Sequence, residues 1–245
     1  MIGEAVSPFK ADGRRMEKPV QNKKRWKAAV LTAALSMGVW GCQGVGDGYD
    51  FQPETSSIYV SEDGKIQSAT VENYDKDYYS QSGLEEFLAG QVAAYNKSLG
   101  AAELGHNIEG GQTLPAAVVS CSLEEGKAAV IYEYANSESF LDFAEEFHDA
   151  DNLVSDFKTG TAAEARTEGW LEGMDFVKPG KGQEAADASA DEISRLSDQQ
   201  AVLVETDHPI TLETGGRIRY MTRGVSLQDR NTAQIPEGTH VIIFK

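Results

Sequence analysis

The stretch SIYVSEDGKIQSATV, residues 57–71, decides the fold because it places two alternating apolar runs around Asp63-Gly64. An Asp-Gly pair between such runs is a strong signal for a β-hairpin with a tight turn. A helix is predicted to follow over about 83–99, where apolar residues recur at helical spacing. Its predicted buried face comprises Leu84, Phe87, Leu88, Val92, Tyr95 and Leu99. The chain therefore opens its folded part with two strands and a helix.

The same order of elements returns further along the chain. Residues 118–122 and 128–134 read as strands on either side of Glu124-Glu125-Gly126-Lys127. Asn136 or Ser137 then caps a second helix. That helix has an apolar stripe of Phe140, Leu141, Phe143, Ala144 and Phe147. A glycine-rich segment, residues 104–115, separates the two units. We therefore predict an α+β fold of ββα–ββα order, with an antiparallel sheet and both helices on one face.

The remainder of the chain has a different pattern. Residues 160–177 are expected to form a cover or an edge strand, and a short polar helix is expected over 187–196. Short β runs then follow, separated by Gly, Pro and Asn turns, and they indicate a small β-rich module or a meander docked on the first sheet. The predicted divisions are a signal peptide (1–41), a flexible tether (42–57), an α+β domain (58–177), a linker with a short helix (178–200) and a β-rich module (201–245).

The segment before the folded part has the pattern of an export signal. Its basic residues, Lys23, Lys24, Arg25 and Lys27, precede an uncharged, mostly apolar run over 28–41. This run is shorter than the roughly 20 residues that a membrane-spanning helix needs, and it has the length of a signal-peptide core. The run ends in Val39-Trp40-Gly41-Cys42, with a small residue directly before the cysteine.

This signal resembles that of bacterial lipoproteins. The resemblance implies that Cys42 becomes the first residue of the mature chain and carries lipid, such as palmitate, through its sulfur. It further implies a protein anchored in the cell membrane and facing the extracytoplasmic side. Translation is expected to start at Met16, which leaves a signal of ordinary length. The acidic body, the hairpin–helix order and the β-rich end are similar in style to uncharacterised lipoproteins of gram-positive anaerobes, a resemblance that implies no activity.

The charge of the chain excludes some classes of partner. The full sequence has 22 Lys and Arg against 39 Asp and Glu. Without residues 1–41 the counts become 14 and 36, so the net charge falls to about −22. A surface this acidic repels nucleic acid and anionic lipid headgroups. We therefore expect no nucleic-acid partner, and contact with the membrane only through lipidated Cys42.

The densest aromatic and charged stretch is the candidate ligand surface. It comprises Tyr74, Asp75, Asp77, Tyr78 and Tyr79. Tyrosines beside carboxylates are typical of surfaces that bind sugars or peptides, because the ring packs and the carboxylate accepts hydrogen bonds. The competing interpretation is that these residues join a strand to a helix and that the tyrosines fold onto the core.

Other residues with chemical potential do not form a recognisable motif. His148, Asp149 and Asp151 have the right types for a divalent cation but not the spacing of a ligand set. Cys121 lies in a strand-like run, where a buried thiol is the ordinary interpretation. No catalytic, cofactor-binding or metal-binding residue is therefore assigned, and no cofactor is expected.

The sequence leaves three functions open. The first is a non-catalytic, lipid-anchored protein that binds a protein, peptide or glycan at the cell surface. The second is a hydrolase of the cell envelope whose carboxylates only the fold brings together. The third is an acidic protein that binds divalent cations.

Overall fold

A computed structural model describes residues 51–74, 79–180 and 185–245. In these residues the fold is α+β, as predicted, with four helices and thirteen strands. The helices are α1 (Gln81–Ser98), α2 (Ser137–Glu146), α3 (Ala162–Thr167) and α4 (Ala190–Ser194). The strands are β1 (Ser57–Val60), β2 (Ile66–Asn73), β3 (Ala116–Glu124), β4 (Lys127–Tyr134), β5 (Asp156–Thr161), β6 (Phe176–Lys178), β7 (Ala186–Asp187), β8 (Gln200–Thr206), β9 (Ile210–Thr214), β10 (Ile218–Thr222), β11 (Ser226–Leu227), β12 (Thr232–Ile235) and β13 (Gly238–Phe244).

Both hairpins form where the sequence predicts them. Strand β1 pairs antiparallel with β2, and β3 pairs antiparallel with β4. The second turn has positive φ at Glu125 and Gly126, and the first has positive φ at Gly64. These are the conformations that tight hairpin turns require. Strands β2 and β4 also pair antiparallel, which joins the two hairpins into one sheet.

The first sheet has seven strands in the order β11-β12-β9-β1-β2-β4-β3. Its pairs are antiparallel except for β1 and β9, which run parallel with Ile58 opposite Leu212. Strands from the C-terminal part of the chain therefore extend the sheet that the N-terminal hairpin starts.

The second sheet has six strands in the order β5-β8-β13-β10-β6-β7. It takes β8, β10 and β13 from the last 46 residues and the other three strands from earlier in the chain. The β-rich module predicted for 201–245 is not confirmed, because its strands are divided between two sheets. The pattern of short runs indicated the strands, with the exception of β12, but not their partners.

The main core lies between the sheets and below the two longer helices. Ile58 and Val130 of the first sheet, Val202 and Ile242 of the second, and Phe140 of α2 all belong to it and are almost fully buried. The opposite face of the second sheet has a core of its own, which α3, α4 and the loop around Trp170 cover. Alternation of side chains along each strand produces both cores, since neighbouring residues point to opposite faces.

The buried face of α1 is narrower than the sequence pattern predicts. Its buried residues are Leu84, Leu88, Val92, Tyr95 and Asn96. Phe87 is 43% exposed and Leu99 is 53% exposed, which corrects their assignment to the core. At about 100° per residue, Phe87 points well away from the centre of the buried arc. Leu99 lies beyond the last turn, at the C-cap of the helix. None of the described helices has the length and apolar character that a membrane crossing requires.

Candidate functional site

The candidate surface predicted from tyrosines and carboxylates is described only at its two ends. Tyr74 is 8% exposed and belongs to the main core, and Tyr79 is half-buried against it. The two rings pack edge to face with centroids 4.7 Å apart. Burial, and next the charge of Glu72, raises the pKa of the Tyr74 hydroxyl. Asp75, Asp77 and Tyr78 lie outside the described residues. The ring of Tyr74 therefore packs inward, and a ligand role for the segment stays a prediction.

The two cysteines stand differently in the structure. Cys42 lies outside the described residues, so its lipidation stays a prediction. Cys121 is buried in β3, and burial raises the pKa of its thiol to about 11, with a further contribution from Glu85. A thiol of this kind stays protonated at neutral pH and is a poor nucleophile. Cys121 therefore acts as a packed core residue.

His148, Asp149 and Asp151 do not converge on a common point. His148 and Asp151 are exposed, whereas Asp149 is buried. His148 also has a positive φ of 52°, so the chain turns at His148, just after the end of α2. In the described part of the chain, no group of three His, Cys, Asp or Glu side chains is placed to hold a metal ion.

Asp149 instead joins the end of α2 to the first sheet. Its Oδ2 accepts hydrogen bonds from Thr70 Oγ1 at 3.1 Å and from Asn152 Nδ2 at 2.9 Å. Asn152 Nδ2 also donates to the backbone oxygen of Ala69. Burial raises the pKa of the Asp149 carboxyl in spite of these bonds, so its neutral form is favoured more than in water. Asp149 and Thr70 line a small, partly open cavity with Gln91 and Tyr132, and its volume of about 10 Å³ matches a single water molecule.

The most distinctive surface feature is the ordered loop between α1 and β3, residues 99–115, which we call the connector. Loops of this length without regular structure are uncommon in compact domains and often carry function. The connector includes the glycine-rich segment noted in the sequence, to which no role was assigned there. Its backbone is held at several points, and these explain why it is ordered.

Asn96 is the main anchor of the connector. It lies in the last turn of α1 and is fully buried. Its Nδ2 donates to the backbone oxygens of Leu104 and Ala116, both at 2.8 Å, and its Oδ1 accepts from the Ala116 amide at 3.1 Å. One side chain thus joins the middle and the end of the connector to α1. An asparagine on a buried helical stripe was the sequence signal for this role, since such a group needs internal partners.

The middle of the connector is held against β3 and β4. The Val118 amide donates to the Gly105 oxygen, and His106 Nδ1 donates to the Val118 oxygen, both at 2.8 Å. Asn107 Oδ1 accepts from the Leu114 amide, which closes the loop on itself. Gly105 lies so close to α1 that a Cβ would collide with the backbone of Ala89. The close approach explains the need for glycine there.

The fixed connector presents apolar side chains to solvent. Ile108 is 61% exposed and Leu104 is 37% exposed, although both are large and aliphatic. They line a pocket of about 90 Å³, with the buried Leu114 also in its wall. The other lining residues are Ala101, Ala102, Gly111, Gln112 and Thr113. Grouped, exposed apolar side chains on an ordered loop mark an interaction site more often than single ones do.

The part of the chain that contains the connector is rich in acidic residues. Residues 81–149 contain two lysines against twelve Asp and Glu. Both lysines already have partners: Lys97 pairs with Glu103 at 2.7 Å, and Lys127 donates to the backbone oxygen of Glu54. Three of these carboxylates lie in or against the connector: Glu103, Glu109 and Glu133, the last of which accepts a hydrogen bond from Asn107. Their negative charge attracts cations over a distance of about 10 Å at moderate salt.

Comparison with known protein families, with curated proteins and with solved structures finds no match to this chain. The connector, with its pocket and its acidic surroundings, is thus the candidate functional site that the geometry provides.

Proposed function

We propose that this protein is held at the extracytoplasmic face of the cell membrane by lipid on Cys42 and acts there as a non-catalytic binding or adaptor protein. The observation that carries the proposal is the segment 23–42, in which a basic patch, an uncharged apolar run and Gly41-Cys42 follow one another. A segment of this order is typical of processed export signals, and its apolar run over 28–41 is too short to span a bilayer.

The start of the described body supports an anchor close to the fold. Phe51 is buried, and its ring stacks on Tyr59 of β1 with centroids 4.8 Å apart. The chain from Cys42 to Phe51 can extend over about 30 Å at most. A lipid on Cys42 would therefore hold the body within about 30 Å of the membrane surface.

The binding role is supported by the connector. Its backbone is fixed by Asn96, Gly105 and His106, whereas its aliphatic side chains face solvent. We further propose that the ββα–ββα order serves as its scaffold, because the connector joins the helix of the first unit to the hairpin of the second. A preformed loop loses little conformational entropy when it binds, which favours affinity.

The anchor is tested by replacing each cysteine in turn. The full chain is expressed with labelled palmitate in a bacterial host that processes lipoproteins. The wild type and the Cys121→Ser variant should incorporate label and sediment with membranes, whereas Cys42→Ser should do neither. Since the chain has two cysteines in all, the pair of variants assigns the label. Equal labelling of Cys42→Ser and the wild type would refute the anchor.

The binding role is tested in the same cells with a photo-crosslinking amino acid. Placed at position 108, in the connector, it should give a discrete adduct whose partner mass spectrometry identifies. Placed at position 153, an exposed leucine outside the connector, it should not give that adduct. Identical adduct patterns at both positions, or none at position 108, would contradict binding through the connector.

A further inference from the structure

We propose that the connector pocket binds an aliphatic side chain of a cationic polypeptide segment, a proposal that rests on the binding role given above and names its partner class. The pocket is the space lined by Leu104, Ile108 and Leu114 together with the small and polar residues of the same loop.

The size of the pocket selects a side chain rather than a whole small molecule. Its volume of about 90 Å³ is well below the roughly 300–1,000 Å³ of sites that enclose drug-sized ligands. An aliphatic side chain fits such a space and gains the apolar contact that Ile108 and Leu104 offer. Burying these exposed groups is favourable in proportion to the apolar area removed from water.

The charge of the partner follows from the surroundings of the pocket. Glu109 lies in the connector and is exposed, and Glu133 of β4 accepts a hydrogen bond from Asn107 of the connector. Lys97, at the end of α1, is already paired with Glu103 of the connector. Lys or Arg residues on either side of the inserted side chain would meet these carboxylates and speed the encounter.

The fixed backbone explains why a surface loop can discriminate among partners. Asn96 ties the connector to α1 and β3, and the Gly105 oxygen accepts from the Val118 amide. The walls of the pocket therefore keep their positions when it is empty. A polypeptide segment with one apolar residue among several basic ones would complement both the shape of the pocket and the charge around it.

The test uses the full chain in nanodiscs of phosphatidylcholine, a neutral lipid, with empty nanodiscs as the blank. The probe is a fluorescent hexapeptide with one leucine among lysines, and binding is read by fluorescence anisotropy. Two companion peptides replace the leucine by serine or all lysines by glutamate. We expect the leucine–lysine probe to bind, the serine probe to bind about tenfold more weakly, and the glutamate probe not to bind.

Two variants assign the binding to the pocket. Ile108→Asn removes an exposed apolar wall without changing the charge, and it should weaken the leucine–lysine probe about tenfold. Leu153→Asn makes the same change at an exposed leucine outside the pocket and should leave binding unchanged. Unfolding midpoints of both variants should match the wild type, which separates lost binding from lost structure.

Several outcomes would overturn the proposal. Equal binding of the leucine and serine probes would show attraction by charge alone, and so would binding that Ile108→Asn leaves intact. Absence of binding by the wild type would exclude this partner class. None of these results would bear on palmitate labelling of Cys42 or on the crosslinked adduct at position 108, so the proposed function and its partner class fail separately.

Discussion

The junction between the two sheets and the connector are both non-repetitive segments, yet the first is tightly packed at its glycines, whereas the second leaves large aliphatic side chains in solvent. The junction, residues 215–217, carries the chain from β9 in the first sheet to β10 in the second. Its Gly215 amide donates to the Val60 oxygen, and Arg217 exchanges two backbone hydrogen bonds with Lys245. Backbone atoms of Ser61, Glu62 and Lys245 pack against the two glycines of the junction, whereas Arg217 is exposed.

The connector has an equally well-bonded backbone but leaves its large side chains in solvent. An ordered backbone and buried side chains are therefore separate properties of a segment. Neither Gly215 nor Gly216 has a positive φ, so the backbone conformation at the junction does not itself require glycine. Glycine is needed there because a Cβ would collide with neighbouring backbone atoms. In the connector, hydrogen bonds to buried groups provide the order, so that its side chains remain available for binding. Substitutions of the junction glycines should therefore affect stability, and substitutions of the exposed apolar side chains of the connector should affect binding.

The largest loss of stability is expected from Gly216→Val. A Cβ at Gly216 would lie 2.5 Å from the carbonyl carbon of Lys245, which is backbone and cannot rotate away. We expect the free energy of unfolding in urea to fall by about 3 kcal/mol.

Gly90→Ala is the matched control for that substitution. Gly90 lies inside α1, and a Cβ there meets nothing within 4 Å. The variant should gain about 0.5–1 kcal/mol, because alanine favours helix over glycine. Equal effects at the two glycines would refute the steric account of the junction.

The next largest effect is expected at the anchor of the connector. Asn96→Ala removes the hydrogen-bond partner of the part-buried Leu104 oxygen and of the buried amide and oxygen of Ala116. We expect a loss of about 2–3 kcal/mol and faster amide hydrogen exchange at Ala116. Asn107→Ala, which affects an exposed side chain with two hydrogen bonds, should cost about 1 kcal/mol. A smaller loss at Asn96 than at Asn107 would contradict the role of Asn96.

Asp149 should make stability depend on pH in the direction opposite to most carboxylates. Its folded pKa is raised above the ordinary value of 3.8, so the folded state holds its proton more tightly than the unfolded state. This contribution is fully present below pH about 4 and is lost as the pH rises through the raised pKa. Asp149→Asn keeps an oxygen for Thr70 and Asn152 and should remove the dependence, with higher stability than the wild type at neutral pH.

The pH effect is measured as the difference in unfolding free energy between variant and wild type from pH 4 to pH 8. Asp142→Asn, which changes an exposed aspartate of α2, is the control and should follow the wild-type profile. A difference between Asp149→Asn and the wild type that stays constant with pH would refute a raised pKa at Asp149.

The smallest effect on stability is expected where the binding effect is largest. Ile108→Asn changes a side chain that is mostly in solvent, so the free energy of unfolding should change by less than about 0.5 kcal/mol. Thermal and urea unfolding of the variant check this. A loss above about 1 kcal/mol would mean that the connector needs its apolar side chains for folding.

The hairpins and the longer helices could be predicted from the sequence because their signals are local. Asp63-Gly64 and Gly126 sit between alternating runs, and the apolar stripe of α2 has helical spacing. Strand partners could not be predicted in the same way. The parallel pairing of β1 with β9 joins residues more than 150 positions apart, and no turn between them sets the register. For the same reason, the sequence could not show that the strands of the predicted β-rich module belong to two different sheets.

The candidate site was less accessible to sequence reasoning than the fold. The stretch 74–79 attracted attention by its composition, but Tyr74 packs into the core, a fate that the sequence had left open. The connector had only a glycine-rich composition, which is typical of any loop. Its order depends on Asn96, whose partners lie up to 20 residues away. Composition reports which groups are present, whereas their exposure depends on packing.

The amino-acid sequence by itself determines four properties: the acidic charge, the signal-like segment ending at Cys42, the α+β class and the local hairpins. These properties depend on composition or on neighbours in the chain. Only the tertiary structure decides three further properties: the pairing of β9 with β1, the burial of Tyr74 and Asp149, and the exposure of Ile108 on an ordered connector. They depend on long-range contacts, which bring together groups whose spacing in the chain has no period to detect.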